Sequence, residues 1–121
     1  MREAEVEEVV AVLVEAGAID DASFARRYAE DKRELAGWGP DRIARALEGR
    51  GVAPELIEAA LGSEDGAAQV ERAVALIDAR GMPLDSERAR ERALGLLVRR
   101  GYPLELAYQA VRLAERRADA A

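Results

Sequence analysis

RIARALEGRGVAPELIEAAL, residues 42–61, is matched fifty positions later by RALGLLVRRGYPLELAYQAV, residues 92–111. The two stretches align without a gap. Arg42/Arg92, Leu47/Leu97, Arg50/Arg100, Gly51/Gly101, Glu55/Glu105, Leu56/Leu106 and Ala60/Ala110 are identical pairs, and most other positions exchange one apolar residue for another. Self-similarity at a fixed period marks a repeat architecture. Such units stack, share a core, and present extended surfaces more often than enclosed catalytic pockets.

At 121 residues the chain has room for two such units. Each alone would bury too small a share of its surface to be stable, so the units are expected to stack. Half the residues are hydrophobic, only 4% are aromatic and 35% are charged, which suits a mainly helical protein. Cys and His are both absent, so no disulfide framework can form and the commonest general acid/base side chain is missing. The sequence holds no Gly-rich phosphate loop, no metal-ligand cluster and no nucleophile beside a base, so neither an enzyme nor a cofactor is expected. Asp20-Asp21 lacks a third ligand and reads as a capping pair rather than a metal site. No apolar run approaches the roughly 18 residues of a membrane span. The opening Met1-Arg2-Glu3-Ala4-Glu5 is too acidic for a signal or transit peptide, so a cytoplasmic location is expected.

The net charge of −6 is unevenly placed. Residues 1–22 carry seven acids against Arg2, and the remaining 99 residues sum to zero. The chain is thus an acidic N-terminal segment on a neutral body in which all but one of the basic residues are Arg. A strong free-standing DNA binder would be basic overall.

Periodicity and punctuation predict about seven helices. The first spans about Ala4 to Ala16 with Val6, Val9, Val10, Leu13 and Val14 in one stripe, and Gly17 ends it. With Asp21 or Ser23 as N-cap, a second runs to Ala36, with Phe24, Tyr28 and Leu35 inward and Arg26, Arg27, Asp31 and Arg33 outward. Gly37-Trp38-Gly39 breaks it, and Pro40 opens a third to Glu48, with Ile43 and Leu47 inward. Further helices are expected over about 53–61, 67–79, 85–99 and 103–116, with a frayed tail from Ala118. No strand is expected.

Moved back by the same fifty positions, Glu5-Val6-Glu7-Glu8 falls on Glu55-Leu56-Ile57-Glu58. Residues 1–18 therefore read as the third helix of an earlier, incomplete unit, 19–63 as a second three-helix unit and 64–121 as a third. The expected fold class is all-α, with tandem three-helix repeats in an elongated, curved array.

The order of local signals resembles one family. A helix ending in Gly17-Ala18-Ile19-Asp20-Asp21 leads to Ser23-Phe24-Ala25 and Tyr28, then Gly37-Trp38-Gly39-Pro40-Asp41-Arg42-Ile43, then Leu47 and Gly51-Val52, with a weaker copy at Arg100-Gly101-Tyr102 and Leu106. This resembles the RecX family of bacterial regulators of the RecA recombinase. The resemblance implies a non-enzymatic protein that binds RecA in the groove of the RecA–single-stranded DNA filament. It further implies inhibition of ATP hydrolysis and strand exchange, with weak direct DNA contact. The front departs from the family pattern, since most of the first unit has no counterpart here.

Against that background Lys32, Arg33, Arg42, Arg45 and Arg50 form a candidate basic stripe toward RecA acids or DNA phosphate, both of which suit the planar guanidinium fork. The alternative is a solvated face with local pairs such as Asp41–Arg45. Trp38, the only Trp, is either a partner anchor or a plug between helices. Arg99 and Arg100 repeat the Gly49-Arg50 position beside a turn; they extend the stripe or simply meet a helix dipole. The rival function is a DNA-binding protein of helix-turn-helix-like units, against which the negative net charge argues.

Overall fold

The computed structural model describes the backbone of residues 3–62 and 64–121, and the side chains of residue 17 and of these residues from 20 onward. It contains six helices: α1 Glu3–Ala36, α2 Pro40–Gly49, α3 Pro54–Leu61, α4 Gly66–Ala79, α5 Glu87–Arg99 and α6 Leu104–Ala120. No strand occurs among the described residues. The count is one short of expectation because the first two expected helices are one. Gly17 does not stop the helix, and Asp20, Asp21 and Ser23 lie within it rather than capping it. A mid-helix Gly costs only about 1 kcal/mol relative to Ala, no Pro follows it, and Ala- and Glu-rich flanks favour helix on both sides. The expected Val6 to Val14 stripe lies outside the residues whose side chains are described. At the other end, α6 continues to Ala120 instead of fraying at Ala118.

The other boundaries follow from local chemistry. Pro40 and Pro54 occupy the first turns of α2 and α3, where a missing N–H leaves no hydrogen bond unmade. Asp65 and Ser86 cap α4 and α5 by accepting from the backbone N–H of Ala68 (2.7 Å) and Ala89 (3.1 Å).

Two cores result. Ala25, Ala29, Ile43, Leu47, Val52, Ile57 and Ala60 gather where the second half of α1 meets α2 and α3. Ala73, Val74, Ile77, Ala93, Leu97, Tyr102, Ala107, Ala110, Val111 and Ala114 gather among α4, α5 and α6. Small residues at Ala25 and Ala29, one helical turn apart, let α1 lie close on α3. That register corrects two assignments. Leu35, expected inward, is 84% exposed, whereas Arg33, expected outward, is 8% exposed. Arg33 follows Ala25 and Ala29 at four-residue spacing and so shares their face.

The units meet at one tight joint. The backbone N–H of Gly39 donates to the Arg100 carbonyl (2.8 Å), and that of Asp41 to the Gly101 carbonyl (2.9 Å). Neither glycine is replaceable. A Cβ on Gly39 would lie 2.5 Å from the Gly101 carbonyl carbon. Gly101 has φ +98°, and a Cβ there would lie 2.3 Å from that of Arg42. Side chains lock the contact. The Tyr102 hydroxyl donates to the Gly37 carbonyl (2.9 Å) and accepts from Arg72 Nε (3.2 Å). Arg72 pairs with Glu64, whose carboxylate also lies 3.8 Å from Arg33 Nε. Arg33 in turn donates to the Ala60 carbonyl (3.2 Å) at the end of α3. Arg100 donates to the Ala36 carbonyl (3.1 Å) at the end of α1. Burial holds the Tyr102 pKa above its ordinary value, although the Arg72 guanidinium opposes this. Burial works against the charge on Arg72, but hydrogen bonds to Glu64 and Tyr102 prevail and raise its pKa.

Two outcomes follow. Gly17→Ala should stabilise the chain by about 0.5–1 kcal/mol in chemical denaturation, because the site is helical and nothing lies within 4 Å of a Cβ there; destabilisation would mean that Gly17 ends a helix. Tyr102→Phe strands the Gly37 carbonyl and should cost about 1–3 kcal/mol. It should also remove a pH dependence. With a folded pKa above the unfolded value, the neutral phenol's contribution is fully present below about pH 10 and fades as pH rises through the folded value. Melting curves of both chains across that range should converge at high pH.

Candidate partner-binding surface

The first candidate surface is built on the second half of α1. Phe24 and Tyr28, one turn apart, place their ring centroids 5.7 Å apart, and Trp38 meets Tyr28 edge-on at 6.5 Å. Trp38 reaches this position because Gly37, at φ +67°, turns the chain while the Trp38 N–H donates back to the Lys32 carbonyl (3.0 Å), a glycine-dependent helix stop. Its ring packs against the core of α1–α3, so Trp38 is partly a plug. It is also a platform: Lys32 Nζ lies 4.7 Å from its centroid and the Arg42 guanidinium carbon 4.3 Å. The Arg50 guanidinium carbon lies 5.0 Å from Tyr28 and 5.7 Å from Phe24. Such cation–π contacts are worth about 0.5–1 kcal/mol each when exposed, and they order the cations without neutralising them.

Of the residues read as a basic stripe, Lys32, Arg42 and Arg50 are therefore gathered, around Trp38 and its neighbouring rings. Arg33 and Arg100 are not part of that face. The former is buried and turned to the α3 carbonyls and Glu64; the latter is half-buried and ties α5 to the end of α1. Equal places in the repeat do not give Arg50 and Arg100 equal surroundings, because only Arg100 has a preceding joint to close.

Arg45 and Arg99 belong to a second surface. They line a groove of about 630 Å³ between α2 and the α5–α6 turn, together with Asp41, Ala44, Val98 and Leu104. Arg99 also lines an adjoining groove of about 520 Å³ with Met82, Arg88, Glu91 and Arg92. Among the described residues, none of Arg45, Arg88, Arg92 and Arg99 forms an ion pair. Sequence reading overlooked Arg88 and Arg92. The signal was present, since Arg88, Arg92 and Arg99 share one helical face at spacings of four and seven, and Arg92 is the repeat mate of Arg42. Two other arginines are paired: Arg90 with Glu115 (3.2 Å), and Arg117 with Glu71 in a two-pronged contact (2.6 and 2.9 Å) that lowers the Glu71 pKa.

No group of acids that could hold a metal occurs among the described residues, and no helix there is long and apolar enough to cross a membrane. The arrangement offers ordered and unpaired cations beside apolar patches, which is the chemistry of noncovalent recognition of an anionic partner.

Comparison with known proteins agrees with this architecture. Residues 20–61 match the family described as RecX, second three-helix domain. A regulatory protein RecX of Bacillus licheniformis is 43% identical over 56 residues, 46% of this chain and 21% of that protein. A regulatory protein RecX of Mycobacterium sp. (strain JLS) is 35% identical over 65 residues, 54% of this chain and 36% of that protein. The matches thus span between about a fifth and about a third of those relatives. The crystal structure of RecX from Lactobacillus salivarius superposes with a TM-score of 0.75 at 22% identity, over 94% of this chain and 76% of that one. Residues 20–61 are thus similar to a RecX second three-helix domain, and nearly the full chain shares the helical architecture of a RecX crystal structure.

Proposed function

We propose that this chain is a non-enzymatic regulator that binds RecA and the RecA–single-stranded DNA filament in the cytoplasm and inhibits ATP hydrolysis and strand exchange. The similarity of residues 20–61 to a RecX domain, and of longer stretches to regulatory RecX proteins, supports the regulatory class. The observation that carries the binding mode is the cluster of Lys32, Arg42 and Arg50 held on the Phe24–Tyr28–Trp38 platform. Cations ordered before binding lose less side-chain freedom on meeting a carboxylate surface than free ones do. Residues 19–63 and 64–121 act as two units of one body, with residues 1–18 in the place of a third helix ahead of them. The locked joint lets that body contact neighbouring filament subunits at a fixed spacing, so that several modest contacts add.

The test is RecA's single-strand-dependent ATP hydrolysis, titrated with this chain below the RecA concentration. Inhibition is expected, and Lys32→Glu/Arg42→Glu/Arg50→Glu should raise the half-inhibitory concentration by about tenfold or more with helix content unchanged. A folded triple variant that inhibits like the parent would remove this surface from the reading. DNA binding without RecA that falls steeply with salt, and no inhibition, would favour the DNA-binding alternative.

A further inference from the structure

The unpaired arginines along α2 and α5 lie outside the aromatic platform and call for a separate account. Arg45 and Arg99 flank a groove that carries exposed apolar groups, Leu104 at 57% and Val98 at 41% exposure, and Arg88 and Arg92 line the groove that adjoins it at Arg99. Two acids, Asp41 and Glu91, face the same grooves. The two carboxylates weigh against any anionic occupant alike, but a phosphate backbone would also gain nothing from Val98 and Leu104. An amphipathic helix with acidic flanks fits both features, burying its apolar stripe while its acids meet the arginines.

One such helix is part of this chain. Residues 3–16 carry Glu3, Glu5, Glu7, Glu8 and Glu15 with no basic residue, and Val6, Val9, Val10 and Leu13 recur at the spacing of one helical face. This segment cannot occupy the groove of its own molecule. α1 is continuous, so residues 3–16 lie about 30–50 Å along its axis from Ala36, where the joint and the groove begin. We propose that the groove between α2 and α5 docks residues 3–16 of a second copy of this chain. The contact is reciprocal in a two-fold dimer, so each molecule supplies one acidic helix and one basic groove. It is independent of RecA and stands whether or not the regulatory reading does.

Sedimentation velocity of the full chain from about 5 µM to about 0.5 mM is the test. A concentration-dependent monomer–dimer equilibrium is expected. Arg45→Glu/Arg99→Glu should weaken it by about tenfold or more, as should Glu5→Arg/Glu7→Arg, each with unchanged helix content. Mixing the two variants should restore a dimer, because the acidic groove of one then meets the basic helix of the other, and the remaining contact has its original charges. If the groove variant proves misfolded, Val98→Ser/Leu104→Ser replaces it, with the same loss expected. A parent that stays monomeric, a folded groove variant that dimerises like the parent, or variants that fail to associate when mixed would each overturn the proposal. Monomeric parent protein that binds single-stranded DNA through Arg45 and Arg99 would assign the groove to phosphate instead.

Discussion

The close approach of Gly39 and Gly101 is the constraint on which the rest of the architecture depends. The N–H groups of Gly39 and Asp41 reach the carbonyls of Arg100 and Gly101 only because neither Gly39 nor Gly101 carries a Cβ at the point of contact. Once they meet, the Tyr102 hydroxyl reaches the Gly37 carbonyl, and Arg100 reaches the end of α1. The arrangement is directional. Gly51, the repeat mate of Gly101, adopts the same left-handed backbone (φ +81°), with nothing within 4 Å of a Cβ. Ala89 stands where Gly39 stands in the first unit, and its methyl group is what the joint at Gly39 excludes. The repeat is thus unequal at this position: Gly39 precedes α2 at the joint, and Ala89 lies buried within α5.

The arginines divide accordingly. Arg33, Arg72 and Arg100 are structural. Their multiple donors, in a planar fork, satisfy helix-end carbonyls and the half-buried Glu64 carboxylate together, which a lysine ammonium on a single stem would do poorly. A half-buried Arg stays charged because its hydrogen bonds outweigh desolvation, as the raised pKa of Arg72 shows. Lys32, Arg42, Arg45, Arg50, Arg88, Arg92 and Arg99 have no comparable commitment within the fold. They are held by ring faces or by none, so their charge remains available.

Much of this was legible in the residues, for identifiable reasons. The all-helical class, the proline-initiated α2 and α3, and the glycine stops at Gly37 and Gly51 follow from rules that act within a few residues. Family resemblance was legible from the order of those signals. The continuity of α1 was not, because a mid-helix Gly and a helix-ending Gly differ by only about 1 kcal/mol of context. Leu35 and Arg33 exchanged places for a related reason. Hydrophobicity favoured Leu35 inside, but the two alanines set the face, and Arg33 could enter because the α3 carbonyls and Glu64 awaited its donors. Trp38 packs against the core of the first unit, as a plug does, and its ring is also flanked by Lys32 and Arg42. The separation of Arg50 from Arg100 was illegible in principle, since it depends on whether a neighbouring unit closes the joint.

What the joint contributes to recognition is preorganisation. Had the two units been joined by a flexible linker, the aromatic platform of α1 and the basic face of α5 would meet any partner as independent weak sites. Each would be governed by an effective concentration that falls as the linker lengthens. Backbone hydrogen bonds at Gly39 and Asp41, closed over by Tyr102 and Arg100, remove that freedom before binding, so the ordering cost is met during folding. The same rigidity extends into α1, where one unbroken helix fixes the direction of the acidic segment relative to both basic faces. A chain with nearly balanced charge over its last 99 residues thereby acquires a strong internal polarity. The two proposed associations, with an anionic partner and with another copy, would then draw on different faces of one body.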